Sequence, residues 1–536
     1  MIELARRTVA DVLLTGAATR PDRIAIIDDV ERVDYRGLLD LARRVAGGLR
    51  RLGIGRGNTV ALVLDNSVDH VLAWFGASLL RAVEVAINTT FGPPHLAYTI
   101  DHCDATVVVV DEWYVERLRA VADQLPKVKT VVVRGDPGVA AGLPFEVLSW
   151  EVLASQEPVD PEACSPSDPL GIVYTSGTTS MPKGVVVSQA QTHGRMWPLG
   201  PATAGPEDVT LVTLPLYHVI GQCRGLYNTL IAGGTAVLVR RFSASNFWDE
   251  CRKHGVTYAP LVGAMAQYLL RQPPRPDDAD NPVRHVALGT TIPEVDELRR
   301  RFDIERVSVS YGLTEAGGIL VGEARADGCG HLRPDFEARL VDEDDVEVPY
   351  GDVGEFVLRP TEPWTTMIGY FKMPEETAAR WRNLWLHTGD LMAREPDGTF
   401  RFVGRGAERI RVRGENVAPS EVEAQLGAHP DIEECAAVGV SVVGAAAGDQ
   451  EILLAVVVDE HATLTNEQLI TYLEERLPRF AVPRYIAFMA ALPRTEATAR
   501  VQRSRIADEA LAGAWDRLAV AGPSPVSEWR RSEVAG

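Results

Sequence analysis

A chain of 536 residues, 46% apolar and 24% charged, has the make-up of a packed globular protein and is long enough for about two to four domains. Its 54 basic residues against 74 acidic ones leave a formal charge of −20, which argues against a surface built for nucleic acid. No apolar run approaches the ~18–20 residues that a membrane-spanning helix needs. The N-terminus, interrupted by Glu3 and Asp11, does not read as a signal peptide. Six cysteines (Cys103, Cys164, Cys223, Cys251, Cys329, Cys435) lie far apart with no Cys-x-x-Cys, which predicts a reducing cytoplasm and neither a disulfide frame nor a zinc site. Only five basic residues are lysines, and none follows Lys372.

In chain order, apolar residues at helical spacing predict an amphipathic helix over 38–52. Short β-branched runs predict buried strands at Val60–Leu64, Val107–Val110, Val131–Val133, Leu211–Leu214, Ala236–Val239, Val286–Leu288 and Val307–Ser310. Helical stretches alternate with them, the pattern of an α/β body with largely parallel sheets. From about Ala338 the strands Ala338–Val341, Glu355–Leu358 and Phe400–Val403 are separated by Gly- and Asp-rich turns and predict a β-rich subdomain. A smaller α+β unit follows Gly404–Arg405, with helices at Pro419–Gly427 and Glu467–Leu477 and strands at Ala436–Val440 and Leu453–Val458. The expected divisions are 1–404, a hinge at 405–408, a mobile domain over 409–515 and a disordered tail over 516–536.

The sharpest local feature is Tyr174-Thr175-Ser176-Gly177-Thr178-Thr179-Ser180-Met181-Pro182-Lys183-Gly184. Backbone N–H groups and hydroxyls of such a loop can cradle phosphate oxygens, and Lys183 can offset their charge. It is not a Walker loop, which needs Gly where Pro182 stands and Ser or Thr where Gly184 stands. Both flanks are strand-like, so the loop joins strands and does not open a helix.

This loop resembles that of the adenylate-forming superfamily, which holds acyl-CoA synthetases, peptide-synthetase adenylation domains and luciferases; Ser180 departs from the usual Gly. The resemblance continues along nearly the whole chain. Tyr311-Gly312-Leu313-Thr314-Glu315 is similar to the adenine and α-phosphate motif. It implies Tyr311 beside adenine, Thr314 on the α-phosphate and Glu315 on Mg²⁺, an oxygen ligand for a hard cation. Trp385–Leu391 resembles the ribose motif, which implies Asp390 on the ribose hydroxyls and Arg405 as a second ribose contact. By the same resemblance His218, Val262, Gly263, Gly289 and Thr290 line the acyl pocket, while Gly414 and Glu415 match a loop that meets CoA. Arg359–Trp364, Arg413–Val417 and Leu477–Tyr485 resemble the carnitine/crotonobetaine-CoA ligase-like branch.

Two departures fall in the expected mobile domain. The hinge position, commonly Asp or Lys, is Ala407, and a residue of this size can still absorb a φ/ψ change. The lysine that bridges carboxylate and α-phosphate is replaced by Arg500 in Pro493-Arg494-Thr495-Glu496-Ala497-Thr498-Ala499-Arg500. Arginine keeps the charge but presents a fork in place of a point.

The resemblance implies an AMP-forming ligase that uses MgATP to activate a small carboxylate or related oxyanion and passes it to CoA. An alternative keeps the first half-reaction and changes the second: an antibiotic or other natural-product enzyme, either an amide synthetase or a diazotase that activates nitrite for an aryl amine. A third, non-catalytic reading is a degenerate nucleotide-binding scaffold. Intact Lys183, Thr314, Glu315, Asp390 and Arg405 argue against it. No oligomeric state is legible.

Overall fold

The structure is a computed structural model that describes residues 7–518, except 176–180, 195–202, 290, 326–327, 407–409, 413–414, 428, 442–449, 460–461 and 496–500, with backbone alone at 405, 411, 415 and 416. Two compact units emerge, one of residues 1–337 and 358–386 and one of 338–357 and 387–536. The β-rich stretch expected from residue 338 onward thus falls largely in the second unit.

The first unit carries two large sheets. In one, Arg306–Leu313, His285–Leu288, Tyr258–Leu261, Val209–Val212, Thr235–Leu238 and Ile24–Ile27 lie side by side and parallel. Antiparallel strands close its edges: Gly317–Glu323 and His331–Leu332 on one side, Arg32–Asp34 on the other. In the second sheet, Pro169–Thr175, Val83–Ala86, Thr59–Val63, Val107–Asp111, Thr130–Arg134 and Glu146–Ser149 run parallel. Lys183–Ser188 and Gly369–Tyr370 add to it antiparallel. The central strands are buried on both faces, which is why they read as unbroken β-branched runs.

The helix expected at 38–52 spans Tyr35–Arg51. It starts earlier because Asp34 caps it, accepting from the Gly37 N–H at 2.7 Å. The strand expected to end at Ser310 continues to Leu313 and turns into a hairpin with Gly317–Glu323, so Tyr311 and Gly312 are strand residues.

The second unit holds a four-stranded sheet of Ile432–Val440, Glu451–Val458, Tyr485–Phe488 and Trp515–Asp516, with the helices Pro419–Leu426, Asn466–Glu474 and Arg503–Ala510. The helix expected to reach Leu477 ends at Glu474. Pro478 disfavours helical backbone at the residue before it, and the last turn tightens as Arg476 N–H bonds Leu473 O at 3.0 Å. A hairpin of Ile410–Val412 and Glu415–Val417 precedes this sheet, and Phe400–Arg405 pairs antiparallel with Trp385–Arg394. Among the described residues no helix is long and apolar enough to cross a membrane.

Candidate active site

In the first unit the phosphate loop is held at its two ends. Thr175 and Lys183 face each other across the antiparallel ladder, and the Thr175 hydroxyl donates to Lys183 O at 3.3 Å. Ser176, Gly177, Thr178, Thr179 and Ser180 lie outside the described residues. The Lys183 ammonium pairs with the Glu376 carboxylate and stands 5.4 Å from the centre of the Tyr370 ring. Tyr370 in turn donates its hydroxyl to Glu315 Oε1 at 2.6 Å. Burial first, then the Glu315 carboxylate, push the Tyr370 phenol up, so it stays protonated and donates. Lys183 and Glu315, 132 positions apart in sequence, therefore share one neighbour.

Glu315 sits in the turn of the hairpin that follows Tyr311. Gln191 Nε2 donates to Glu315 O at 2.9 Å and Thr314 O at 3.3 Å, and the Met367 N–H donates to Glu315 O at 2.7 Å. These bonds fix the backbone that presents Thr314 and Glu315. The register slips between Tyr311 and Gly312, and a side chain at 312 would come within 2.1 Å of Gly317 O. Glycine is required there by close approach of the two strands. Arg380 Nη2 lies 3.5 Å from Glu315 Oε1, the same oxygen that Tyr370 uses. Both of these contacts fall on Oε1. One carboxylate plus substrate phosphates is the usual way Mg²⁺ is held, so these residues fit the ion. No cluster of three or more His, Cys, Asp or Glu suited to a metal occurs among the described residues.

The expected acyl-pocket residues gather at the carboxyl ends of the parallel strands, where α/β sheets bind ligands. Gly289 follows His285–Leu288, and its N–H donates to Leu261 O at 2.8 Å. A side chain at 289 would meet Ile220 Cδ1 at 3.4 Å and Val262 Cγ1 at 3.7 Å. Val262 caps the helix that Gly263 begins. His218 Nδ1 accepts from the Ile220 N–H at 3.3 Å, which leaves the proton of a neutral ring on Nε2. Thr290 lies outside the described residues.

In the second unit Asp390 and Arg405 are direct partners across two antiparallel strands. Asp390 is buried, and its N–H donates to Thr388 Oγ1 at 3.0 Å, while that hydroxyl donates to Phe356 O at 2.6 Å. Glu355 braces the preceding residues, accepting from the Gly389 N–H at 2.9 Å and lying 3.0 Å from His387 Nδ1. Glu415 begins the second strand of the hairpin, and Gly414 and Ala407 lie outside the described residues. So does Arg500. The segment that contains it is closed at its base, where Arg494 pairs with Val501 and Gln502 N–H bonds Pro493 O at 2.8 Å.

Residues 13–371 match the AMP-binding enzyme family and residues 421–498 match the AMP-binding enzyme C-terminal domain. The chain belongs to the AMP-binding enzyme family. This adenylate-forming member is 30% identical over 481 residues to a crotonobetaine/carnitine–CoA ligase of Salmonella arizonae, covering 87% of this chain and 91% of that one. Among solved structures it resembles a benzoate CoA ligase from Burkholderia xenovorans LB400, with 26% identity, a TM-score of 0.82, and coverage of 93% of this chain and 99% of the other. Its fold also matches that of an anthranilate CoA ligase in complex with anthranoyl-AMP, at a TM-score of 0.84 and 23% identity over 95% of this chain and 98% of that one.

Sequence reasoning missed Tyr370, Glu376, Arg380 and Gln191. Each acts through a contact between residues more than 50 positions apart, which no local pattern announces. The aromatic pair Tyr370–Phe371 beside Lys372 is the one local hint.

Proposed function

We propose that this protein joins a carboxylic acid to CoA through an acyl-adenylate, at the expense of ATP. A carboxylate oxygen attacks the α-phosphorus and pyrophosphate leaves; the CoA sulfur then attacks the acyl carbon, and AMP leaves with the bond electrons. The observation that carries the reading is the Lys183–Tyr370–Glu315 constellation beside the phosphate loop, in a chain whose relatives are named as CoA ligases. Those relatives favour thioester formation over nitrite activation or amide synthesis.

Lys183 and the loop hydroxyls offset phosphate charge, and Thr314 bonds the α-phosphate. Bound Mg²⁺ would sit at Glu315 and neutralise charge on the phosphate oxygens. Asp390 and Arg405 hold the ribose, with Tyr311 and Gly312 at the adenine. Arg500 bridges the attacking carboxylate and the α-phosphate. Gly414 and Glu415 meet CoA once a domain of residues 409–515 has turned about 405–408. His218, Val262, Gly263, Gly289 and Thr290 shape the acyl pocket. The setting is the cytoplasm.

The test measures AMP release and product with carboxylates plus CoA, against nitrite plus aryl amines. Thioester formation is the expected result; AMP release only with nitrite and an amine overturns it. Gly414→Leu should keep adenylation and block thioester formation, whereas Arg500→Ala should slow adenylation itself.

A further inference from the structure

Lys183 and Glu315, the proposed phosphate and metal contacts, are each answered by one residue of the same short helix, Pro374–Arg380. The Glu376 carboxylate pairs with the Lys183 ammonium, and Arg380 Nη2 stands 3.5 Å from Glu315 Oε1. Among the described residues neither Glu376 nor Arg380 has another ion pair, and the two are not paired with each other. The helix backbone is pinned to the strand that bears Tyr370. The Tyr370 N–H donates to Thr377 Oγ1 at 2.9 Å, that hydroxyl donates to Met373 O at 2.8 Å, and a side chain at 369 would come within 3.1 Å of Thr377 Cγ2. The two charged side chains are held less firmly. That of Glu376 is 52% exposed, and at 3.5 Å the arginine contact is an ion pair without a good hydrogen bond.

The charges say what each contact competes with. A carboxylate on Lys183 takes the place of a phosphate oxygen, and a guanidinium on Glu315 takes the place of a hard cation. Like charges at contact distance from one counter-ion repel each other, so each pair opposes the ligand of its own sign. Glu376 and Arg380 lie four residues apart on the helix, acid first, which is the favourable order for an ion pair along a helix face. Resting on the phosphate and metal roles proposed for Lys183 and Glu315, we propose that Glu376 and Arg380 are positioning residues that hold those two groups in the free enzyme and pair with each other once metal and nucleotide displace them. The exchange leaves all four side chains compensated in both states. Only side chains turn: no covalent bond changes and no proton moves.

The experiment measures binding to the full-length enzyme with no acid substrate present. Glu376→Gln should tighten inorganic tripolyphosphate about 2- to 5-fold, read by calorimetry in EDTA, the scale of one partly exposed ion pair. Arg380→Met should tighten Mn²⁺ by a similar factor, read from the EPR signal of the free ion, and Arg380→Lys should keep the parent affinity. Each gain should vanish when its partner is also removed, in Lys183→Ala and Glu315→Gln backgrounds; a gain that survives there reflects a general field and overturns the direct pairing. For MgATP, the double variant Glu376→Gln, Arg380→Met should bind about 2-fold tighter than the two single effects combined, because the pair formed in the loaded enzyme is lost only once. Strict additivity overturns the exchange, and so do parent affinities in both single variants. The ligase reading is judged apart: thioester formation beside unaltered affinities sinks only the exchange, and the expected affinities with no thioester from any acid sink only the ligase reading.

Discussion

Arg224 and Arg333 are both buried to within 2% of full occlusion in the first unit, and they differ in how they are satisfied. Arg333 is closed on every side: Nε donates to Asp335 Oδ1 at 2.9 Å, Nη2 reaches Asp335 Oδ2 and Gly194 O at 2.9 Å, and Nη1 donates to Gly318 O at 2.7 Å. Among the described residues Arg224 meets three neutral acceptors and leaves one nitrogen without a bond. Burial alone does not say how a charge is satisfied. The presence of a counter-charge does, because desolvating an ion is offset only when a partner and full hydrogen bonding replace water.

The widest separation between the two should come from stability. Arg333→Met strands the Asp335 carboxylate and should cost about 3–5 kcal/mol, whereas Arg224→Met should stay within about 1 kcal/mol of the parent, since an uncompensated charge leaves with it. Denaturant unfolding checks both, and equal losses would break the distinction. Lys183 extends the comparison to an exposed, paired cation. Lys183→Ala should cost AMP formation about 2–4 kcal/mol of transition-state stabilisation and leave folding stability nearly unchanged, because a solvent-exposed ion pair contributes little. Single-turnover kinetics beside a thermal melt would read the two effects apart.

A buried neutral group sharpens the same contrast. Burial first, then Arg7, lower the His193 imidazole to about 4 from 6.5. The unfolded chain therefore binds the proton that the folded chain refuses. Stability is unaffected above pH 6.5, falls as pH drops from 6.5 toward 4, and has lost up to about 3 kcal/mol below that. His285, lowered to about 3 by burial and then by Arg306 and Arg224, adds to the loss in the same direction. His193→Gln should flatten the pH profile of unfolding over this window. The smallest effect is expected at Glu315: Glu315→Gln keeps an acceptor for Tyr370 but removes the charge, so adenylation should need several-fold more Mg²⁺, read from a metal titration.

Legibility in the sequence tracks the range of each interaction. The central strands were legible because burial on both faces imposes unbroken β-branched runs, and the loop flanks were legible because Thr175 and Lys183 end two such runs. Helix ends were displaced where a side-chain cap or a following proline decided them, at Asp34 and Pro478. Motif residues such as Thr314 and Glu315 stood out by resemblance, but the groups that hold them did not. Tyr370 and Gln191 reach Glu315 from 55 and 124 positions away, and Arg224 reaches Ser310 across 86, so only folding reveals the pairs.

The ion pair between Lys183 and Glu376 has a further consequence. Glu376 belongs to the short helix Pro374–Arg380 of the same unit, so it competes for the lysine from within the molecule, at an effective concentration that no free anion in dilute solution matches. A single weak anion gains little by displacing it. With the phosphate-binding role proposed for this loop, a polyphosphate would gain several contacts at once, so the tethered carboxylate would act as a threshold that nucleotide crosses and stray phosphate does not.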